Sequence, residues 1–195
     1  MTISSILVLT SLALFNVLFI GRTVMLYRQG VKVWTIGTSG GNILERLLEN
    51  VLTPFLLLWN ALIIMAVFHA PFLSDLVLDV TWLKYAGIAL CYCGLAIFLW
   101  ALVSFGKSWR IGIDEKTSNE LITTGAFRYS RNPIFLFMDM YFAGVMLAFP
   151  NVIIIILTVC SIVGIHFQIL REEKFLFRKF GSKYNEYQRQ TRRYI

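Results

Sequence analysis

Five long apolar runs, set between loops of very unequal charge, limit what this chain can fold into. They cover 3–20, 51–70, 85–105, 134–149 and 152–170. A bilayer core about 30 Å thick takes about 20 residues of helix. Inside it, every backbone polar group must be satisfied within its own segment, which selects helices. The fourth run is short for a span. The chain is 57% hydrophobic and 15% charged, whereas soluble domains run near ~45–50% and ~25%. A soluble domain and a disordered chain are both excluded on that balance. Only Phe149-Pro150-Asn151 joins the last two runs. Pro150 cannot continue the preceding helix and Asn151 suits a turn, so the spacing predicts a tight antiparallel hairpin.

The basic residues give the orientation. Of the 18 Lys and Arg, 17 fall in the 22–50 loop, the 106–133 loop and the C-terminal tail, and only Lys84 lies on the opposite side. The positive-inside rule then places the N-terminus outside and the C-terminus in the cytoplasm. No basic residue precedes the first run, while Arg22 and Arg28 follow it, the reverse of a signal peptide. The net charge of +7 therefore belongs to headgroup contacts, and no nucleic-acid partner is expected. The expected fold is all-α and polytopic, with about five transmembrane helices, a C-terminal helical hairpin and an amphipathic cytoplasmic tail. Cys91, Cys93 and Cys160 sit inside apolar runs and make no disulfide framework. Cys91 and Cys93 are read as packing residues.

Several cytoplasmic segments carry local signals. Asn42 and Glu45 match a capping box that starts a short helix. Gly37, Gly40 and Gly41 do not make a GxGxxG and read as a loop. Gly106-Lys107-Ser108 ends like a P-loop, but position 101 is Ala101 and a membrane helix precedes it, so that reading fails. The 105–133 segment is long and polar, with Arg110, Asp114, Glu115 and Lys116 beside Trp109, Phe127 and Tyr129, and long loops of this kind are functional or disordered. In the tail, Leu176, Phe180, Tyr184 and Tyr187 form a helical stripe. Gly181 ends one helix and Ser182 caps the next. That stripe either lies on the headgroups or walls a site.

Ionisable groups inside membrane helices are functional candidates. Asp139 shares a helix face with Asn132, and His166 shares one with Glu173. Counted from the turn, Asp139 lies about 17 Å and His166 about 23 Å along their arms, so direct pairing is possible but not implied. Arg131-Asn132-Pro133 starts one arm. Pro133 suits a first helical turn, and the backbone N–H groups there, with Arg131, can hold an anion. Arg171-Glu172-Glu173 ends the other arm, and paired carboxylates can accept from an amine or from hydroxyls. Two readings stay open at this point: a site for a zwitterionic ligand, or an Arg131–Glu172 ion pair that fixes the helix ends.

Gly125-Ala-Phe-Arg-Tyr-Ser-Arg-Asn-Pro133, the hairpin, Arg171-Glu-Glu173 and Phe180-Gly-Ser-Lys-Tyr-Asn-Glu-Tyr187 together resemble the integral-membrane methyltransferases, a group that includes isoprenylcysteine carboxyl methyltransferases and phospholipid N-methyltransferases. The resemblance covers roughly 103–193; the first two helices carry no motif. The length suits one membrane domain over 1–195, with three spans in 1–104; the resemblance makes 105–195 a cofactor-binding loop, hairpin and tail. It implies S-adenosylmethionine as methyl donor and a lipophilic or small-molecule acceptor reached from the bilayer; no metal is implied. Carried over by position, Arg131, Asn132, Pro133, Glu172 and Glu173 hold the cofactor, with Gly125, Phe127 and Tyr187 as wall residues. Arg131 and Glu173 are the catalytic candidates, and Asp139 and His166 join Glu173 as bases for an amine acceptor. Many members have His in place of Asn132 and Tyr in place of Phe135, and Asn132 cannot serve as a base. The GxG element of phospholipid methyltransferases is missing, which lowers the phospholipid reading; carboxylate O-methylation is favoured, with phospholipid N-methylation and thiol S-methylation as alternatives. A sterol-type membrane reductase and a non-enzymatic lipid-binding protein are the competing readings.

Overall fold

A computed structural model describes residues 2–31, 33, 43–73, 75–109 and 120–195, with the backbone alone at 43–53 and 107. The expected capping box at Asn42, the 37–41 glycines and the loop residues Arg110, Asp114, Glu115 and Lys116 lie outside the described residues or side chains. Each apolar run is a helix: α1 Ile3–Arg28, α2 Ile43–Val67, α3 Thr81–Phe105, α4 Pro133–Ala148 and α5 Val152–Phe180, followed by a short α6, Ser182–Gln190. Among the described residues the only extended pairing is an isolated bridge between Leu76 and Asn151. Three helices, α1, α3 and α5, are long and apolar enough to cross a bilayer, while Pro54–Val67 of α2 and all of α4 are shorter apolar helices. The chain is an all-α, multi-pass integral membrane protein.

The hairpin turn forms as its residues dictate. Pro150 stays outside α4, and the Asn151 side chain caps α5 by accepting from the Ile153 N–H at 2.8 Å. The same side chain donates to the Asp75 carbonyl at 2.9 Å, tying the turn to the loop before α3.

Apolar side chains drive no association between helices inside lipid, so close backbone approach and polar bonds must supply it. Gly87 of α3 and Gly144 of α4 meet backbone to backbone: a Cβ on Gly144 would stand 2.6 Å from both the Gly87 carbonyl and Cys91 Sγ. Polar bonds join the other helices. Ser11 pairs with Tyr141 at 3.1 Å, Asn16 donates to Asn60 at 2.7 Å, and Trp59 Nε1 donates to Ser161 at 3.2 Å. Phe15, Phe98, Phe137 and Tyr141 interlock at the centre, with Phe98 stacked on Phe137 at 4.6 Å. Val152, Ile156, Val159, Val163 and Phe167 of α5 form an exposed stripe at helical spacing, the face a lipid would cover.

Two local expectations need correction. Cys91 is buried, but Cys93 is exposed, because the two point to opposite sides of α3 and only one side meets α4. Ser182 is the first residue of α6 rather than its cap. Gly181, at φ +55, closes α5 and opens α6 by itself, with no side-chain cap bond.

Candidate functional site

The site grows from a short turn, Gly125–Arg128, that folds back against the end of α3. Gly125 has φ +64, and a Cβ there would run into Ser104 Oγ, so only glycine fits. Ser104 Oγ accepts from the Ala126 N–H at 2.9 Å, which pins the turn. Phe127 then meets Phe105 edge to face at 4.5 Å. Beyond the turn, Pro133 is in the first turn of α4, as its missing N–H allows. Asn132 does not cap that helix; its side chain points elsewhere.

It points to Glu173. Arg131 donates to Glu173 Oε1 through Nη2 at 2.8 Å and Nε at 3.2 Å, and Asn132 Nδ2 reaches the same oxygen at 3.4 Å. Arg193 grips the carboxylate from the tail, with Nη2 at 2.9 Å from Oε2. Arg131 Nη1 donates to the Thr191 and Gln188 carbonyls at 2.6 and 3.3 Å. The tail backbone completes the joint: the Arg131 N–H donates to the Arg192 carbonyl at 2.9 Å, and Asn132 Nδ2 to the Arg193 carbonyl at 3.2 Å. Glu173 is 6% exposed. The hydrogen bond to Glu173 raises the Arg193 guanidinium further above its usual range.

The ion pair thus forms with Glu173, not with Glu172 as the pairing read from sequence has it. Successive residues on a helix point about 100° apart, so adjacent glutamates cannot serve one partner equally. Glu172 instead lines a cavity of about 160 Å³ together with Phe127, Arg131, Asn132, Pro133 and Trp109. Its remaining wall is apolar, with Phe15 and Phe19 from α1, Leu56 from α2 and Phe98 from α3 among the lining residues. That volume is below the ~300–1,000 Å³ of sites for drug-sized ligands, so it takes part of such a molecule.

The structure therefore brings Phe127, Arg131, Asn132, Pro133 and Glu172 to one cavity, while Gly125, Glu173 and Tyr187 stand behind its wall. Tyr187 donates its hydroxyl to the Phe127 carbonyl at 2.6 Å. Tyr184 and Tyr187 pack with Phe127 in a small core of their own, so the tail stripe faces inward rather than onto headgroups. Burial pushes the Tyr184 phenol up to about 12, and it stays protonated.

Asp139 and His166 do not pair. His166 Nδ1 shares a hydrogen bond with the Tyr194 hydroxyl at 2.9 Å, and Asp139 Oδ1 is buried with no hydrogen-bond partner among the described residues. Neither lines the cavity. Sequence reasoning missed Arg193, which figured there only as tail charge. It also missed the aromatic wall; Phe15 and Phe19, four apart, were its one legible trace.

A family model described as phospholipid methyltransferase matches residues 82–183, from the first turn of α3 to the start of α6. No curated protein matches the chain.

Proposed function

The chain belongs to the phospholipid methyltransferase family and is a membrane methyltransferase, and from that premise we propose that it uses S-adenosylmethionine to methylate a lipophilic acceptor at the cytoplasmic face. One observation carries the reading: Glu172 and the Asn132–Pro133 corner, from opposite arms of the hairpin, line a single cavity with aromatic walls. An acid among aromatic rings suits a sulfonium, which carries positive charge on a largely apolar surface. When bound, S-adenosylmethionine would supply a methyl already activated by its sulfonium sulfur.

Glu172 would attract and orient the cationic donor. Phe127, Trp109 and Phe105 line the same cavity and would keep water from it. Glu173 does not touch the cavity; it holds Arg131 and Arg193 and so positions the corner. Arg131 has committed its donors to Glu173 and to tail carbonyls. Orienting an anionic acceptor therefore falls to the α4 N-terminus, whose backbone dipoles favour negative charge. A carboxylate acceptor attacks without a base, since attack on the sulfonium leaves neutral products. That supports the carboxylate O-methylation favoured from the sequence, with in-line positioning as the chief catalytic device.

Calorimetric titration of the purified protein with S-adenosylmethionine tests this reading. Wild type is expected to bind and Glu172→Gln to lose most of the affinity. Equal affinity for the two proteins overturns the assignment. Methyl-labelled cofactor added to membranes containing the protein should then leave its label on a lipid fraction.

A further inference from the structure

A second, smaller cavity borders the one at the Asn132 corner. Its volume is about 20 Å³, and the two share Phe15, Leu56, Phe137 and Met138. The charged and amide side chains of the first, Arg131, Asn132 and Glu172, lie at the facing ends of α4 and α5. The second has Asn60, Tyr141 and the Trp59 indole, and all three are satisfied. Asn60 accepts from Asn16 at 2.7 Å and donates to the Leu56 carbonyl at 2.8 Å, while Tyr141 pairs with Ser11 at 3.1 Å. A small cavity with no unmet polar group stays dry and suits hydrocarbon. Trp59 is stacked on Phe142 at 4.3 Å and fixed by its bond to Ser161 at 3.2 Å. Pro133 and Phe142 lie about 13 Å apart along α4, which sets the length of a path from one cavity to the other.

Six of the ten residues that line the second cavity come from α1 and α2, Phe15, Leu56 and Trp59 among them, yet the family match begins only at residue 82. We propose that a single hydrocarbon chain of the methyl acceptor lies along this path and stops at Trp59, so that α1 and α2 set the chain length the enzyme accepts. The proposal rests on the reading above that the first cavity is the methyl-transfer site. A single chain is the occupant because 20 Å³ at the inner end admits a terminal methyl and no ring.

The test uses the full protein in phosphatidylcholine nanodiscs. The probes are two straight-chain alkyl carboxylic acids, one short and one long, each with a diazirine at its far end. After irradiation, adducts are mapped to residues by mass spectrometry. The shorter probe should mark Leu56, Trp59 and Ile63 above the level on the lipid-facing α5 stripe. Leu56→Trp, which fills the shared segment, should abolish that excess. Trp59→Ala should extend it to the longer probe. Adducts confined to the lipid-facing stripe of the wild-type protein overturn the proposal and need no variant. An excess at Trp59 that survives Leu56→Trp in a folded protein also overturns it. Calorimetry on the same samples separates the two readings. Adducts in the path without cofactor binding refute the cofactor assignment and leave the path standing, while cofactor binding without such adducts refutes the path alone.

Discussion

Arg131 and Glu173 are 42 residues apart in sequence, and Nη2 of one stands 2.8 Å from Oε1 of the other with both side chains almost sealed from solvent. Around this pair the start of α4, the end of α5 and the tail are held as one joint. Glu172, the next residue on the same helix, faces the cavity instead. The two acids thus divide, one holding the joint and the other facing the cavity.

Glu173→Gln and Glu172→Gln should therefore fail in different ways. Removing the charge of Glu173 leaves Arg131 buried and uncompensated, and breaking such a pair costs about 3 kcal/mol or more. The Arg193 side, 36% exposed, adds little to that. Thermal unfolding in detergent should show a marked fall in Tm for Glu173→Gln. Glu172→Gln should melt near wild type and lose cofactor affinity. The division is wrong if Glu172→Gln is the less stable of the two.

The glycine contact between α3 and α4 makes a second prediction. A Cβ at Gly87 would press on the Gly144 carbonyl and stand 2.9 Å from the Ala148 nitrogen, and backbone cannot step aside. Gly87→Val should cost about 1–3 kcal/mol or more through overpacking. Gly164, in α5, has nothing within 4 Å of its would-be Cβ. Gly164→Ala should raise stability by up to about 1 kcal/mol through helix propensity. Melting curves of both variants check the pair, and a tolerated Gly87→Val would show that the helices can separate there.

These contrasts mark what the sequence could and could not convey. Apolar run length placed every long helix, and Pro150-Asn151 placed the hairpin turn, because both signals are local. Pro133 was legible for the same reason. Which of Glu172 and Glu173 faces the cavity was not, since a helix carries them about 100° apart and only its rotation against α4 decides. Gly87 and Gly144 looked like ordinary residues of apolar runs until their backbones met. Arg193 and Tyr194 reach Glu173 and His166 only because the tail folds back across Ser130 and Asn132. No periodicity encodes that path.

Tyr187 supports the cavity from behind, and that role is separable from binding. Its hydroxyl, held at 2.6 Å from the Phe127 carbonyl, is buried. Tyr187→Phe keeps the ring and leaves that carbonyl without its donor, at a cost of about 1–3 kcal/mol. Phe127 lines the cavity, so a looser turn should also weaken cofactor binding, by less than Glu172→Gln does. A variant with unchanged melting would place the hydroxyl in water and remove the support.

Placing at Asn132 the His that the sequence resemblance leads one to expect should create a pH response. A histidine titrates near ~6.5 in the absence of perturbation; here the Glu173 carboxylate, 3.4 Å from Asn132 Nδ2, favours the cation, while burial and the Arg131 and Arg193 guanidiniums on that carboxylate favour the neutral ring. Below its pKa the ring is cationic, at the wall of a cavity assigned to a sulfonium. Cofactor affinity of Asn132→His should therefore fall relative to wild type as pH drops through that value, and the two should converge above it. Asn132 has no titrating group, so the difference between the curves isolates the ring. Calorimetry at a series of pH values reads it directly. Parallel curves would mean that position 132 does not face the bound cation, and the cofactor would then have to be sought on another wall.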